Sequence, residues 1–466
     1  MTPPLPHSSV TSPIAEPTGP EANRAALDFI FSRLNFERVP HDSYTLADFK
    51  LDRMRSLLEE IGNPQERLAT VHLAGTKGKG STAAMLAGVL QSAGAKTGLF
   101  TSPHIETFEE RMTVNGCLPG TAMLEKLVER LRPAVERLDR SYTVEGPTFF
   151  ELTTALGWLY FEEAGAEIVV LEAGLGGRLD STNVCRPLCS IITSISRDHM
   201  RLLGETLPEI AREKAGIIKP GVPVISGVRD AAPREVIEAT AEGCGAPLLQ
   251  LGREIVVEEL EPAAAGLPFY AANVKTPWEE RRDLRCPLPG RHQIQNMGLA
   301  MTAFDLLSQH WRPLNREAAA AGLANLRWPL RIEQFSERPR LILDAAHNDA
   351  SIRALCETLA GLPERKRVVV FGTSRDKDAR AMLEILADAF DVFVLTRYTE
   401  NPRALPVDQL EEMAAGIMPG RTVVSSGPAE ALQTARNLAG DDGLICVTGS
   451  LFLAAEMKVL VAGRSQ

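Results

Sequence analysis

The stretch AGTKGKGSTAA, residues 74–84, sets three glycines, two lysines and three hydroxyls between an apolar run and a row of alanines. Gly75 to Ser81 spell GTKGKGS, the spacing of a phosphate-binding loop. VHLAG before it has the composition of a buried strand, and STAAMLAGVLQSAG after it that of a helix. Strand, glycine turn and helix N-terminus aim backbone N–H groups and the positive end of a helix dipole at one point, which suits a polyphosphate. Gly75, Thr76, Gly78 and Gly80 supply the backbone cradle. Lys79 reaches the β- and γ-phosphates as a point charge, and Ser81 offers its hydroxyl to a magnesium ion or a phosphate oxygen. Lys77 is a further positive charge with no role that the pattern demands. A glycine-rich turn without a ligand is the bland alternative, disfavoured because motif and flanking elements agree.

Other groups have the types that such chemistry needs. Glu172, in LEAGLGGRLDSTN, ends the strand-like run EIVV, where P-loop enzymes place the carboxylate that holds Mg²⁺; a solvated glutamate or a helix cap is the plainer alternative. Asp198 and His199 follow CSIITSI, and since histidine is a poor magnesium ligand, a hydrogen-bonded loop histidine is the simpler reading of His199. Lys214 lies on a helix of mixed charge, where most lysines are solvated. Arg331 in WPLRIEQF could swing onto a γ-phosphate or form a surface ion pair. Asp344 and His347 follow the strand-like RLIL.

These groups need elements to position them. From about residue 45, short apolar runs alternate with helical ones: VHLAG, KTGLFTS, EIVVLEAG, CSIITSIS and VPVISGV are separated by segments such as LEKLVERLRPAVERL and ELTTALGWLYFEEAG. That alternation predicts an α/β domain with a doubly wound, mostly parallel sheet covered on both faces. Residues 250–290 break the rhythm and predict a small irregular or antiparallel insertion. QNMGLAMTAFDLLSQHW follows as a helix. After WPLRIEQF the alternation restarts with RLILDAA, RVVVFGTS, DVFVLTRY, RTVVSS and GLICVTGS, which predicts a smaller Rossmann-like α/β domain without a P-loop. The expected division is a disordered extension over 1–40, an ATP-binding domain over 41–325 and a C-terminal domain over 326–466. Ligands of such sheets bind at the carboxyl ends of the strands, so a cleft between the two domains is expected.

Composition agrees. At 466 residues the chain exceeds what one core usually supports, and 44% apolar content suffices for two. No run of about 18 uncharged apolar residues points to a membrane span. The first residues, MTPPLPHSSVTSPIAEPTGP, lack the apolar segment of a secretory signal. Seven cysteines without metal-binding spacing suggest reduced thiols and a cytoplasmic protein. A net charge of −10 gives no electrostatic reason to bind nucleic acid, so an anionic ligand needs a local positive pocket.

GTKGKGST, TSPHIETFEERM, PTFFELTT, LEAGLGGRLDSTN, SISRDHMRLLGETLPEIAREKAGIIKPG, HQIQN, WPLRIE and DAAHN, in this order, resemble the folylpolyglutamate synthase and dihydrofolate synthase family, relatives of the Mur ligases. The resemblance runs from about residue 45 to 455. It implies that Ser102 and Glu172 are magnesium ligands and that His199 holds a second magnesium, against the simpler reading above. It implies that Lys214 is carried as a carbamate, that Asn296, Arg331 and Asp344 contact ATP, and that His347 lies close to it. Thr148, Phe149, Phe150 and Glu151, with Leu179 and Asp180, are implied to hold the pterin. The chain departs from the family at Lys77, usually Asn, and in DAAHND, where Ala345 and Asp349 replace Gly and Pro.

The reading is an ATP-dependent amide ligase with Mg²⁺ as cofactor. The γ-phosphoryl of ATP passes to a carboxylate of dihydropteroate or a reduced folate, and L-glutamate attacks the acyl phosphate. A monomer acting on small molecules, with no nucleic-acid or membrane partner, is expected. The rivals are a Mur-type cell-wall ligase, which the SPH, TFFE and LGGRLDSTN stretches disfavour, and an ATP-hydrolysing switch. Glutamate-dependent ADP release with a pterin acceptor separates a ligase from a switch.

Overall fold

The computed structural model describes residues 20–39, 45, 48–141, 146–260 and 270–463. Its first sheet has seven strands: β1 (Ala69–Ala74), β2 (Thr97–Phe100), β3 (Met112–Val114), β4 (Ile168–Glu172), β5 (Cys189–Ile192), β6 (Val224–Ser226) and β7 (Leu248–Gln250). They lie in the order β3-β2-β4-β1-β5-β6-β7, all parallel except β3, which runs antiparallel to β2 at the edge. The central strands β4 and β5 are buried at every residue, as a sheet covered on both faces requires. One face packs Met85, Leu86, Val89 and Leu90 of the helix Lys79–Ser92 against Val71, Leu73 and the helix Arg291–His310; the other packs Leu152, Leu156 and Leu159 of Phe149–Glu163.

Topology decides which loops meet. Because β2, β4, β1 and β5 are consecutive in space, the loops after them bring Ser102, Glu172, the glycine loop and Asp198 side by side.

The stretch that broke the alternation is a three-stranded antiparallel sheet of β8 (Val256–Leu260), β9 (Ala271–Lys275) and β10 (Glu280–Arg285). Its apolar face covers the helix Arg291–His310, where a Cβ on Gly298 would stand 2.5 Å from Val257. The second major sheet contains β11 (Glu333–Glu337), β12 (Arg340–Leu343), β13 (Arg367–Phe371), β14 (Val392–Leu395), β15 (Thr422–Val424) and β16 (Leu444–Thr448), in the order β11-β12-β16-β13-β14-β15. It is parallel apart from β11, which forms a hairpin with β12. A separate buried cluster fills each face.

The expected disordered extension over 1–40 is corrected from residue 20 onward. Residues 20–31 form a helix, Pro20–Phe31, whose Ala26 and Ile30, one turn apart, are buried against the first domain. Arg33 pairs with Asp139 at 2.8 Å, and Phe149 N–H donates to Leu34 O. The proline, serine and threonine bias that suggested disorder ends where this apolar spacing begins. Residues 1–19, 40–44 and 46–47 lie outside the described residues.

Candidate active site

The loops at the carboxyl ends of both sheets enclose one cavity of about 560 Å³. Gly75, Thr76, Gly78, Lys79 and Ser81 line it from the first domain, and Arg331, Asp344 and His347 from the second. The glycine loop is clamped by the segment after β5. Thr76 N–H donates to Ser194 O at 2.7 Å, Lys77 N–H to Ser194 Oγ at 3.0 Å, and Thr193 Oγ1 to Lys77 O at 2.6 Å. Two of its glycines are required: Gly75 and Gly78 have φ of 156° and 82°, and a Cβ would collide with Thr193 Oγ1 or Asn296 Oδ1. Lys79 Nζ and Lys214 Nζ both donate to the carbonyl of Gly75, at 3.1 and 2.9 Å. Lys214 is thus buried in the cavity wall rather than solvated as its helix suggested. Burial, then the Lys79 charge, pull its pKa down to about 7.

Glu172 ends β4 buried, with Oε2 accepting Ser102 N–H at 3.3 Å. Burial pushes its carboxyl above the usual range, against the pull of Lys79. Ser81, Ser102 and Glu172 together offer hard oxygen donors beside the phosphate loop, a set that suits magnesium. Among the described residues no three His, Cys, Asp or Glu side chains gather as a ready-made metal cluster. His199 lines the same cavity in a left-handed conformation, φ 48°, with Nε2 3.7 Å from Asp198 Oδ1.

Across the cleft, Arg331 sits between Leu330 and Ile332, both left-handed at φ 56° and 51°. Such a conformation is costly for a β-branched residue, so the surrounding structure must impose this turn. Asp344 imposes part of it: Oδ2 accepts Ile332 N–H at 2.9 Å and Oδ1 accepts Ala346 N–H at 2.8 Å. Burial raises the Asp344 carboxyl, with Arg331 opposing. Asn296 reaches the cavity from the helix Arg291–His310, its amide nitrogen donating to Gln293 Oε1 at 2.9 Å. The departures in DAAHND leave the loop intact. Ala345 N–H donates to Leu330 O, and Asp349 opens the helix Asp349–Leu359, where a carboxylate favours the dipole.

Thr148, Phe150, Glu151, Leu179 and Asp180 line the same cavity. Phe149 does not, which corrects its expected place in the pterin site. Its ring is fully buried, stacked on Phe31 at 5.3 Å, because consecutive helix residues point to different faces. The Glu151 carboxylate is taken by Arg53 at 2.7 Å and by Thr148 N–H at 2.8 Å, so it braces the helix start. Asp180 accepts from Leu175 N–H, Thr182 N–H and the Thr182 hydroxyl, which fixes the LDST turn.

Several lining residues were not nominated from sequence. Phe36 and Phe49, with ring centroids 5.1 Å apart, join Phe150 in the lining. Glu37 and Arg403 join them, with Arg403 donating to Glu37 O. Phe36 and Glu37 belong to the segment assigned to disorder; the aromatic in LNFER was the available signal. Lys377, in the GTSRDKD loop after β13, donates to Asp198 Oδ1 at 2.6 Å.

Known proteins resemble this chain over nearly its whole length. Residues 73–304 match the Mur ligase middle domain and residues 330–451 the Mur ligase glutamate ligase domain. The dihydrofolate synthase/folylpolyglutamate synthase of Bacillus subtilis is 36% identical over 440 residues, covering 94% of this chain and 98% of that protein. A protein of the same description from Mycobacterium tuberculosis is 31% identical over 465 residues, covering 93% and 94%. The crystal structure of Mycobacterium tuberculosis folylpolyglutamate synthase complexed with ADP and AMPPCP superposes with a TM-score of 0.85 at 29% identity, over 95% of this chain and 98% of that one. A folylpolyglutamate synthase–AMPPCP–folate complex gives 0.77 at 30% identity, over 94% and 99%.

Proposed function

This chain belongs to the folylpolyglutamate synthase and dihydrofolate synthase family of Mur ligases, and from that premise we propose how its own residues carry the reaction. The protein is an ATP-dependent acid–amino-acid ligase that joins L-glutamate to a folate-type carboxylate. The observation that carries this reading is the single cavity, which brings a phosphate loop, the loops of a second domain and an aromatic chamber to one place.

A carboxylate is a poor electrophile, so it must first be activated. Its oxygen attacks the γ-phosphorus of ATP and ADP leaves; the glutamate amine then attacks the acyl carbon and inorganic phosphate leaves. Lys79 lies along the phosphate path, and Arg331 faces it from the second domain. Fixed positive groups aimed at developing charge are the main source of catalysis in phosphoryl transfer. Magnesium supplies further neutralisation of phosphate charge when bound, with Ser102 and Glu172 as its holders and His199 beside a second position. Asn296, Asp344 and His347 define the wall that would take the nucleoside. Phe36, Phe49, Phe150 and Leu179 offer flat apolar faces to a pterin. Lys214, buried against the Gly75 carbonyl, is the residue for a carbamate.

The substrates are small molecules, and a monomeric, cytoplasmic enzyme is the proposed setting. No helix among the described residues is long and apolar enough to cross a membrane. The test is purified protein with ATP, Mg²⁺ and radiolabelled glutamate, offered dihydropteroate and tetrahydrofolate separately. Label is expected in one product or both; incorporation with neither acceptor would overturn the reading.

A further inference from the structure

The mechanism leaves Lys77 unused, yet its ammonium is among the most tightly placed in the cavity. It donates to Asp198 Oδ2 at 3.0 Å and to His347 Nε2 at 2.7 Å. The histidine can accept because its Nδ1 lies 2.8 Å from Ala345 O and donates there, leaving Nε2 with a lone pair. The other oxygen of Asp198 receives Lys377 Nζ at 2.6 Å. Lys77 and Asp198 belong to the first domain, His347 and Lys377 to the second. One carboxylate, 7% exposed, is therefore gripped by an ammonium from each side of the cleft, beside the phosphate loop.

We propose that Lys77 and Lys377, joined through Asp198, are positioning residues that clasp the second domain onto the phosphate loop and so keep water from the acyl phosphate. The proposal rests on the ligase reading. Each ammonium takes a different oxygen of this buried carboxylate, so removing either lysine leaves one oxygen without its charged donor and leaves Asp198 tied to one side of the cleft alone. Other polar contacts across the cleft run from Lys458 to Glu106 at 2.6 Å, from Arg38 to Glu400 O at 3.0 Å, and from Arg403 and Asn401 to Glu37 O at 3.3 Å each. They would keep the domains together without sealing the gap between the glycine loop and the loop after β13.

Leakage through that gap has a balanced outcome. Water attacks the acyl phosphate in place of glutamate; the products are the original carboxylate and inorganic phosphate, and one ATP is consumed without an amide bond. The readout is ADP formed per glutamate incorporated, measured on the full-length protein with saturating acceptor. The wild type is expected near one. Lys377→Ala and Lys77→Asn should each raise the ratio several-fold, Lys377→Arg should return it towards one, and Lys458→Ala should leave it unchanged. A merely structural role would lower both products in parallel, and the two clasp variants guard against one failing to fold. A ratio of one in both Lys377→Ala and Lys77→Asn would overturn the clasp while the ligase reading stands. Absence of glutamate-dependent ADP release in the wild type would overturn both.

Discussion

Replacing Lys214 tests the site at its most chemically specific point. Its Nζ shares the Gly75 carbonyl with Lys79 Nζ, at 2.9 and 3.1 Å, which puts the two nitrogens within about 6 Å of each other. At that separation and an effective dielectric of about 20, two like charges repel by roughly 3 kcal/mol, and opposite charges attract by as much. Burial first, and this repulsion second, favour loss of the Lys214 proton. With a pKa of about 7, half of the amine is neutral at pH 7, against roughly one part in 3,000 for an ordinary lysine. The neutral amine is the form that would add to CO₂ in the proposed modification: nitrogen bonds to carbon, a proton leaves to solvent, and the residue would become an anionic carbamate facing Lys79. Activity should therefore fall when CO₂ is stripped from the buffer and return with bicarbonate. More bicarbonate should be needed as pH drops below 7, because protonation removes the reactive form. Lys214→Ala is expected to be nearly inactive, indifferent to bicarbonate and partly rescued by acetate, and Lys214→Arg to be inactive without rescue. A glutamate-ligation assay across these conditions, with ¹³C NMR of enzyme in ¹³CO₂, is the measurement. Full activity in Lys214→Arg would falsify the carbamate, since arginine keeps the charge and cannot form one.

Lys79→Ala should abolish glutamate incorporation and leave the melting curve in place, since its amine donates to a loop carbonyl and not to a core group; near-wild-type turnover would sink the phosphate-loop assignment. Glu172→Gln should shift the magnesium titration to higher concentration and lower turnover, and overlaying titrations would remove Glu172 from the ligands. Phe36→Ala should raise KM for the pterin acceptor about two- to tenfold, the worth of an aromatic contact, with KM for ATP unchanged. An equal rise in both constants would mean that Phe36 supports the fold rather than the chamber.

The phosphate loop was legible because its chemistry is local. Glycines, lysine and hydroxyl act through a strand-turn-helix contained in about 25 residues, and both sheets announced themselves by alternating apolar runs. What stayed illegible was set by pairing between distant segments. Lys214 looks solvated on its helix, and only the packing of Leu207–Ala215 beside the glycine loop buries it. Phe149 and Phe150 are equivalent as letters, and which ring meets the cavity depends on the angle at which the helix Phe149–Glu163 enters. Phe36 was lost because composition was averaged over a segment whose first half is rich in proline and whose second half carries the packing residues. Lys77 could be read only as a further positive charge without a role, since its partners are 121 and 270 residues away.

Charge explains why these groups sit as they do. The chain carries a net −10, so its phosphate site must gather cations locally, and Lys77, Lys79, Lys214, Arg331 and Lys377 all line one cavity. Five such groups would repel one another unless carboxylates stood between them, and the carboxylates divide by what they already hold. Asp344 spends both oxygens on backbone N–H groups and fixes the strained turn that presents Arg331. Asp198, although burial acts to raise it, is held well below the usual carboxylate range by Lys77, His199 and Lys377, so its charge is matched across the cleft. Glu172 meets one long backbone N–H and remains raised by burial. Of the three it has the most to gain from a divalent cation. The same count that suits Asp198 to the proposed clasp suits Glu172 to a divalent cation, and exchanging their surroundings would exchange those aptitudes.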